Sequence, residues 1–277
     1  MADSTFIDEN TLFILDSYGL IYREYFAFLT HPLTDSEGRN VSAVFGFFRN
    51  LSHILKKYRP GYMVAAFDSR TPTFRHEMYA EYKATRQKTP DDLKAQFPWI
   101  EELLGTLGIP VVRCDGFEAD DVVATLATRC EKEGRRCCVL SADKDLMQLT
   151  SGNVHILKPD KTEVWKEMDE AAVTAEWGVP PVKLLDLLSL TGDSADNVPG
   201  VKGVGPKTAV KLISEYGSLE GIYQHAEELK GAMGEKIRGD KDNAFFSKTL
   251  ITLRSDVPCL QDISAFKTAA QIGRAHV

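Results

Sequence analysis

The sequence predicts an α/β protein: a mainly parallel central sheet flanked by helices, followed by a smaller and mostly helical unit. Three observations carry this. Short continuous apolar runs at Thr11–Leu15, Met63–Phe67, Ile109–Val112 and Cys137–Leu140 alternate with amphipathic stretches, and strands without polar alternation are those covered on both faces. Aspartates stand at the ends of three of these runs, Asp16, Asp68 and Asp143. From about Glu170 the pattern turns helical, with Gly and Pro punctuation and no convincing strand.

In chain order, Thr11–Leu15 is a compact β run ending at Asp16. Ser42–Tyr58 places apolar residues at 44, 45, 47, 48, 51, 54 and 55, a helical period. Phe26, Phe45, Phe47 and Phe48 read as core aromatics. Met63–Phe67 is the next strand. Residues 70–92 break the rhythm with RTPTFRHEMYAEYKATRQKTPDD; connections this long usually carry function or move. Thr89 and Pro90 then read as the cap and first residue of a helix. Ala119–Lys132 is a helix that Gly134 would end, and Cys137–Leu140 a strand leading into Ser141-Ala142-Asp143. The expected division is a core over 1–170 and a helical unit over 171–265, with no internal repeat.

Composition narrows the class. The 277 residues are 43% hydrophobic and 26% charged, which excludes a disordered or fibrous chain. No run approaches the roughly 18 apolar residues of a membrane helix, so no membrane partner is expected. Residues 1–11 carry Asp3, Asp8 and Glu9 and no apolar stretch, so no secretory signal is expected. Five cysteines, an odd number without a C-x-x-C pair, point to a reducing cytoplasm and away from a disulfide frame or zinc site.

The net charge of −7 argues on its face against nucleic acid, until the acids are located. The strand ends supply Asp16, Asp68 and Asp143; a helix start supplies Glu118, Asp120 and Asp121; Asp145 follows, and Asp193 and Asp196 lie on a turn. In parallel α/β sheets the carboxyl ends of strands line the ligand crevice. Nine acids brought together there need counter-charge. Hard divalent cations supply it, above all Mg²⁺, and two such ions roughly 4 Å apart serve phosphodiester hydrolysis. Setting the nine acids aside leaves +2 on the rest of the chain. Any one Asp here is more often a cap or turn residue, but the set is harder to explain that way.

Two basic segments accompany the acids. Val198–Ala209 holds Lys202, Gly203, Gly205, Lys207 and Thr208 ahead of a helix over Lys207–Tyr216, with Lys211 beyond. Glycines let a phosphate approach backbone, and a helix start offers N–H groups. The segment is neither a P-loop nor a dinucleotide fingerprint, leaving a sequence-independent grip on a nucleic-acid backbone or an ordinary helix–helix turn. In Tyr82–Lys88, Lys83 and Arg86 are one helical turn apart. With Arg75 they would neutralise a phosphate under attack, and Tyr82 would offer a base a stacking surface; the plainer reading is a solvated basic helix. His76 reads as a surface or packing residue rather than a ligand.

Together these stretches resemble the 5′-nuclease (flap endonuclease) family, and most of all its bacterial 5′→3′ exonuclease members joined to DNA polymerase I. The matching segments are FILDSYGLIYR, AAFDSRTPTFRHEMYAEYKATR, GFEADDVVATLA, SADKDLMQL and LTGDSADNVPGVKGVGPKTA, within Thr11–Leu260. The resemblance implies a PIN-like core and a helix–three-turn–helix subdomain. It implies a first metal group of Asp68, Glu118, Asp120 and Asp121 with Asp16 adjacent, and a second of Asp143, Asp145, Asp193 and Asp196. It implies two Mg²⁺, with Mn²⁺ as a substitute and K⁺ at the glycine loop. Residues 70–92 match a helical arch or clamp over the active site, in which Lys83 and Arg86 match basic catalytic residues acting alongside Asp68 and Asp120, and Arg23 matches a DNA-contacting residue. The implied partners are DNA with a 5′ flap, nick or 5′ end, RNA-primed ends included, and a polymerase domain further along the natural chain. One departure is Asp16-Ser17, where the family usually has Asp-Gly. Ile272–Val277 resembles a sequencing-adapter translation and is expected to be non-native.

Overall fold

The computed structural model describes residues 6–258 and 261–268; the expectation for 272–277 lies outside them. Six strands form one sheet in the order β3-β2-β1-β4-β5-β6. They are β1 (Leu12–Asp16), β2 (Tyr62–Ala66), β3 (Val111–Val112), β4 (Cys137–Leu140), β5 (Val154–Asp160) and β6 (Val164–Met168). The pairs β1–β2, β1–β4, β2–β3 and β4–β5 are parallel, and only β5–β6 is antiparallel. The mainly parallel sheet is as expected, and β1, β2, β3 and β4 lie on the four apolar runs.

The β5–β6 hairpin was not anticipated. β6 is an edge strand with an exposed Val164 and Lys166 beside buried Trp165 and Met168, a short half-polar alternation rather than a continuous apolar run. The turn is held by the Asp160 carboxylate, which accepts from the Thr162 and Glu163 backbone.

Among the described residues there are twelve α-helices. In the first part they are α1 (Ser17–Ala27), α2 (Ser42–Tyr58), α3 (Phe74–Met78), α4 (Asp91–Lys94), α5 (Phe97–Thr106) and α6 (Ala119–Glu133); then come α7 (Glu170–Trp177), α8 (Leu184–Thr191), α9 (Pro206–Tyr216), α10 (Leu219–Gln224), α11 (Gly231–Gly239) and α12 (Lys241–Ile251). Alternate residues of β1 explain the layering. Phe13 and Leu15 pack with α1, α2 and α5, whereas Leu12 and Ile14 face α6 and a core continuous with the later helices. α6 ends as predicted at Gly134, left-handed at φ 63°.

Three expectations need correcting here. Phe47 is buried, but Phe26 and Phe45 are each 49% exposed; the buried stripe of α2 runs through Ala43, Gly46, Phe47, Leu51 and Ile54, and Phe45 lies off it. Residues 70–92 are not a continuous helical arch. The five-residue α3 is followed by turns, with Lys83 at φ 56° interrupting any helix, and Pro90 rather than Thr89 sits at the cap of α4. Cys114 is disulfide-bonded while Cys130, Cys137 and Cys138 are free and buried; counting cysteines cannot show which thiols the fold brings within reach. Among the described residues, no helix is long and apolar enough to cross a membrane.

Candidate active site

At the carboxyl ends of the central strands lies a cavity of about 520 Å³, lined by Asp16, Asp68, Asp120 and Asp143 together with Lys83, Arg86, Gln87 and Lys88. Asp16 is the last residue of β1, and Ser141 Oγ donates to its Oδ2 at 2.6 Å. Gly19 leaves room for that carboxylate, since a Cβ there would stand 2.9 Å from Oδ2. Ser17, at the departure from the usual Asp-Gly, is fully buried as the first residue of α1. Asp68 accepts from the Ala119 N–H at 2.8 Å, docking the start of α6 onto the end of β2. Asp143 accepts from the Asp145 N–H at 2.8 Å.

These acids repel one another out of water. Burial, then the charges of Asp143 and Asp68, push Asp16 up to about 7 against the Ser141 hydrogen bond. Burial and Asp143 push Asp145 up to about 7. Burial also raises Asp68, Asp143 and Asp120, with the charges of Asp143 and Asp16 adding to the rise at Asp120. Among the described residues, no three carboxyl, imidazole or thiol groups already form a closed metal cage. Oxygen donors short of positive charge are nonetheless the donor type that a hard divalent cation takes.

Part of the missing charge comes from basic side chains. Lys83 Nζ lies 2.6 Å from Glu118 Oε1 and 4.0 Å from Asp196 Oδ2. Arg86 Nη2 lies 2.5 Å from Asp196 Oδ1, and Lys144 Nζ 2.6 Å from Asp193 Oδ2. Burial alone would raise Glu118, but Lys83 and Arg75 hold it below its ordinary value. Lys83 and Arg86 thus reach the same cavity by a turn rather than by a shared helix face.

Of the nine expected acids, Asp16, Asp68, Asp120 and Asp143 line the cavity, while Glu118, Asp145, Asp193 and Asp196 lie outside its lining; Asp121, Arg75, Tyr82 and Arg23 are engaged elsewhere. Asp121 is fully buried; both its oxygens are taken by Arg75 at 2.6 and 2.8 Å, with the Glu118 and Arg254 N–H groups donating as well. Helical rotation turns Asp121 away from the cavity that Asp120 faces. Arg75 is only 2% exposed and is closed off from solution, so it is not a surface phosphate contact. Tyr82 is buried, its OH donating to Glu118 Oε2 at 3.0 Å, and offers no open stacking face. Arg23 pairs with the buried Glu24 and lines a separate cavity with Arg49 and His53. His76 packs as expected: it completes a capping box with Thr73 and meets Tyr82 edge-on.

The glycine loop runs from α8 into α9. Val201 and Val204 point into the core while Lys202, Gly203, Gly205 and Lys207 are exposed, with Thr208 half-buried in the first turn of α9. At its base Gly192 and Gly200, both at positive φ, pass so closely that a Cβ on Gly200 would stand 2.4 Å from the Gly192 nitrogen. Sequence reasoning missed Gly19, Ser141 and Lys144, and also the aromatic wall of α1. Tyr18, Tyr22 and Phe26 line the cavity at four-residue spacing, a signal that was visible in the sequence.

Fold and crevice together are those of the acid-lined α/β nucleases. Residues 11–178 match the 5′-3′ exonuclease N-terminal resolvase-like domain, and residues 179–272 match the 5′-3′ exonuclease C-terminal SAM fold. The chain belongs to the 5′-3′ exonuclease family. It is 54% identical over 253 residues to DNA polymerase I of Treponema pallidum, covering 91% of this chain and 25% of that protein. It is 42% identical to the 5′-3′ exonuclease of Aquifex aeolicus, covering 89% of this chain and 83% of the relative. The chain therefore spans about a quarter of the Treponema polymerase and most of the Aquifex protein. In fold it is similar to T5 5′-exonuclease bound to zinc, at TM-score 0.72 and 22% identity, covering 89% of this chain and 91% of that one. A complex of the T5 D15 flap endonuclease with DNA and metal ions gives a TM-score of 0.70 at 21% identity, covering 89% and 90% of the two chains.

Proposed function

We propose that this chain is a structure-specific 5′ nuclease that hydrolyses DNA phosphodiesters near a 5′ end, with two divalent cations, in primer removal and repair. The observation that carries the reading is that Asp16, Asp68, Asp120 and Asp143 line one cavity together with Lys83 and Arg86. One ion would be held by Asp68, Asp120 and Glu118 with Asp16 adjacent, the other by Asp143, Asp145, Asp193 and Asp196; Mg²⁺ is the expected metal, with Mn²⁺ a substitute. When bound, the ions supply an activated water and neutralise charge on the phosphate. Asp121 is left out of the set because it is fully buried between Arg75 and the Glu118 and Arg254 N–H groups, whereas Glu118 meets Lys83, which lines the cavity.

In this reading Lys83 and Arg86 face the scissile phosphate and stabilise its developing charge. Lys202, Gly203, Gly205, Lys207 and Thr208 grip the duplex backbone, with K⁺ held by carbonyls of that loop. The substrates are 5′ flaps, nicks and 5′ ends, RNA-primed ends included. The natural context is the amino-terminal part of a DNA polymerase I in the bacterial cytoplasm, supported by the Treponema relative.

The test is a labelled 5′-flap duplex against single-stranded RNA, each with Mg²⁺ and with EDTA. Cleavage of the flap alone, abolished by EDTA, is the expected result. Binding without cleavage would make the chain a junction-binding scaffold, and preference for single-stranded RNA would make it a ribonuclease of the PIN type.

A further inference from the structure

The guanidinium of Arg75 is a buried cation that the nuclease reading does not use. It donates through Nε to the Leu250 carbonyl at 2.8 Å and through Nη2 to the Thr252 carbonyl at 3.1 Å. Both carbonyls belong to the carboxyl end of α12, where helix carbonyls lack intrahelical partners and a positive charge is favoured. The other donors form a fork on Asp121, at 2.6 and 2.8 Å, and Nη1 also reaches Glu118 Oε2 at 3.1 Å. Glu118 Oε1 in turn meets Lys83, which faces the cavity. A continuous set of charge-assisted contacts therefore runs from the end of α12 to the crevice.

We propose that Arg75 is a positioning residue: it holds the Glu118 carboxylate in place against Lys83 at the edge of the crevice and anchors it to the end of α12. This rests on the nuclease reading of the same crevice. Only arginine meets the geometry, because the five contacts spread over a planar fork, which the single ammonium of lysine cannot reproduce. Asp121 is part of the same device. Its two oxygens hold the fork in plane and also accept from the Glu118 and Arg254 N–H groups, so the cap of α6, the guanidinium and the chain after α12 are set together.

The experiment measures Mn²⁺ affinity by calorimetry and flap cleavage in Mg²⁺ for wild type, Arg75→Lys, Asp121→Asn, Glu118→Gln and the Arg75→Lys/Glu118→Gln double variant. Thermal melting and circular dichroism identify the variants that retain the fold; the near-isosteric Asp121→Asn serves if Arg75→Lys does not. Groups that orient metal ligands typically contribute about 10–100-fold in metal affinity. The expected result is therefore at least about a tenfold loss of Mn²⁺ affinity and a matching fall in kcat, with KM for flap DNA unchanged. Adding Arg75→Lys to Glu118→Gln should weaken Mn²⁺ binding little further, as coupled neighbours require. A folded Arg75→Lys or Asp121→Asn variant with wild-type Mn²⁺ affinity and kcat overturns the assignment, as does full additivity in the double variant. If wild type binds Mn²⁺ yet cleaves no flap, the nuclease reading fails, and the affinities still decide the role of Arg75.

Discussion

Lys83 touches both groups of acids at once: its ammonium is 2.6 Å from Glu118 Oε1, and its backbone N–H donates to the Asp196 carbonyl at 3.0 Å. The Asn197 side chain donates to the Glu81 carbonyl at 3.0 Å beside it. The segment carrying the basic residues is thereby tied to the turn carrying the last two acids, and the cavity is closed on that side by side chains whose charge complements its floor.

Replacing Lys83 with Met should lower kcat by about 10²–10³-fold, the usual effect of removing one electrostatic stabiliser. Flap-DNA affinity measured by fluorescence anisotropy in Ca²⁺ should change much less. An unaltered single-turnover rate would remove Lys83 from the chemistry.

Asp68→Ala and Asp120→Ala should each reduce cleavage by on the order of 10³-fold or more, about 4 kcal/mol of transition-state stabilisation. Substantial DNA binding should remain, because neither residue belongs to the glycine loop. Gel-based cleavage and anisotropy on the same preparations check both halves of the expectation.

Stability in EDTA should fall as pH rises from about 4 to 7. Asp16 and Asp145 go from an ordinary value of 3.8 up to about 7 in the fold. The folded state therefore holds protons that the unfolded chain has released, and loses that advantage as pH climbs through the folded value. Divalent cations bind the ionised form, so Mg²⁺ should raise the melting temperature more at pH 8 than at pH 5. Equal Mg²⁺ shifts at both pH values would contradict a carboxylate site of this kind.

Lys202→Ala and Lys207→Ala should weaken binding to duplexes of unrelated sequence alike. Each should reduce the slope of log K against log salt by about 1 if it meets one phosphate. Salt titrations of affinity for two unrelated duplexes measure this, and a sequence-dependent loss would point to base contacts instead.

The parallel core was legible because Thr11–Leu15, Met63–Phe67 and Cys137–Leu140 are too short and too uniformly apolar to be anything but buried strands. The crevice was legible because Asp16, Asp68 and Asp143 stand where those strands run out. The β5–β6 hairpin was not, since an edge strand needs apolar residues on one face only. The exposure of Phe26 and Phe45 was not, since an aromatic residue looks the same whether it fills a core or walls a cavity.

The sequence by itself determined the parallel core of the sheet, the acids at its carboxyl ends and the presence of basic residues between them, because apolar runs and strand-terminal charges are local properties. Tertiary structure decided which of neighbouring charges face the cavity. Asp120 and Asp121 are adjacent, yet one lines the crevice and the other is locked to Arg75; Arg75 and Lys83 share one basic segment, yet one is sealed against α12 and the other is open to the cavity. Consecutive helical side chains point about 100° apart, and a buried charge goes where a partner of opposite sign meets it. Only the packing of distant segments, such as that of Arg75 against Glu118 and Asp121 at the start of α6, supplies that partner.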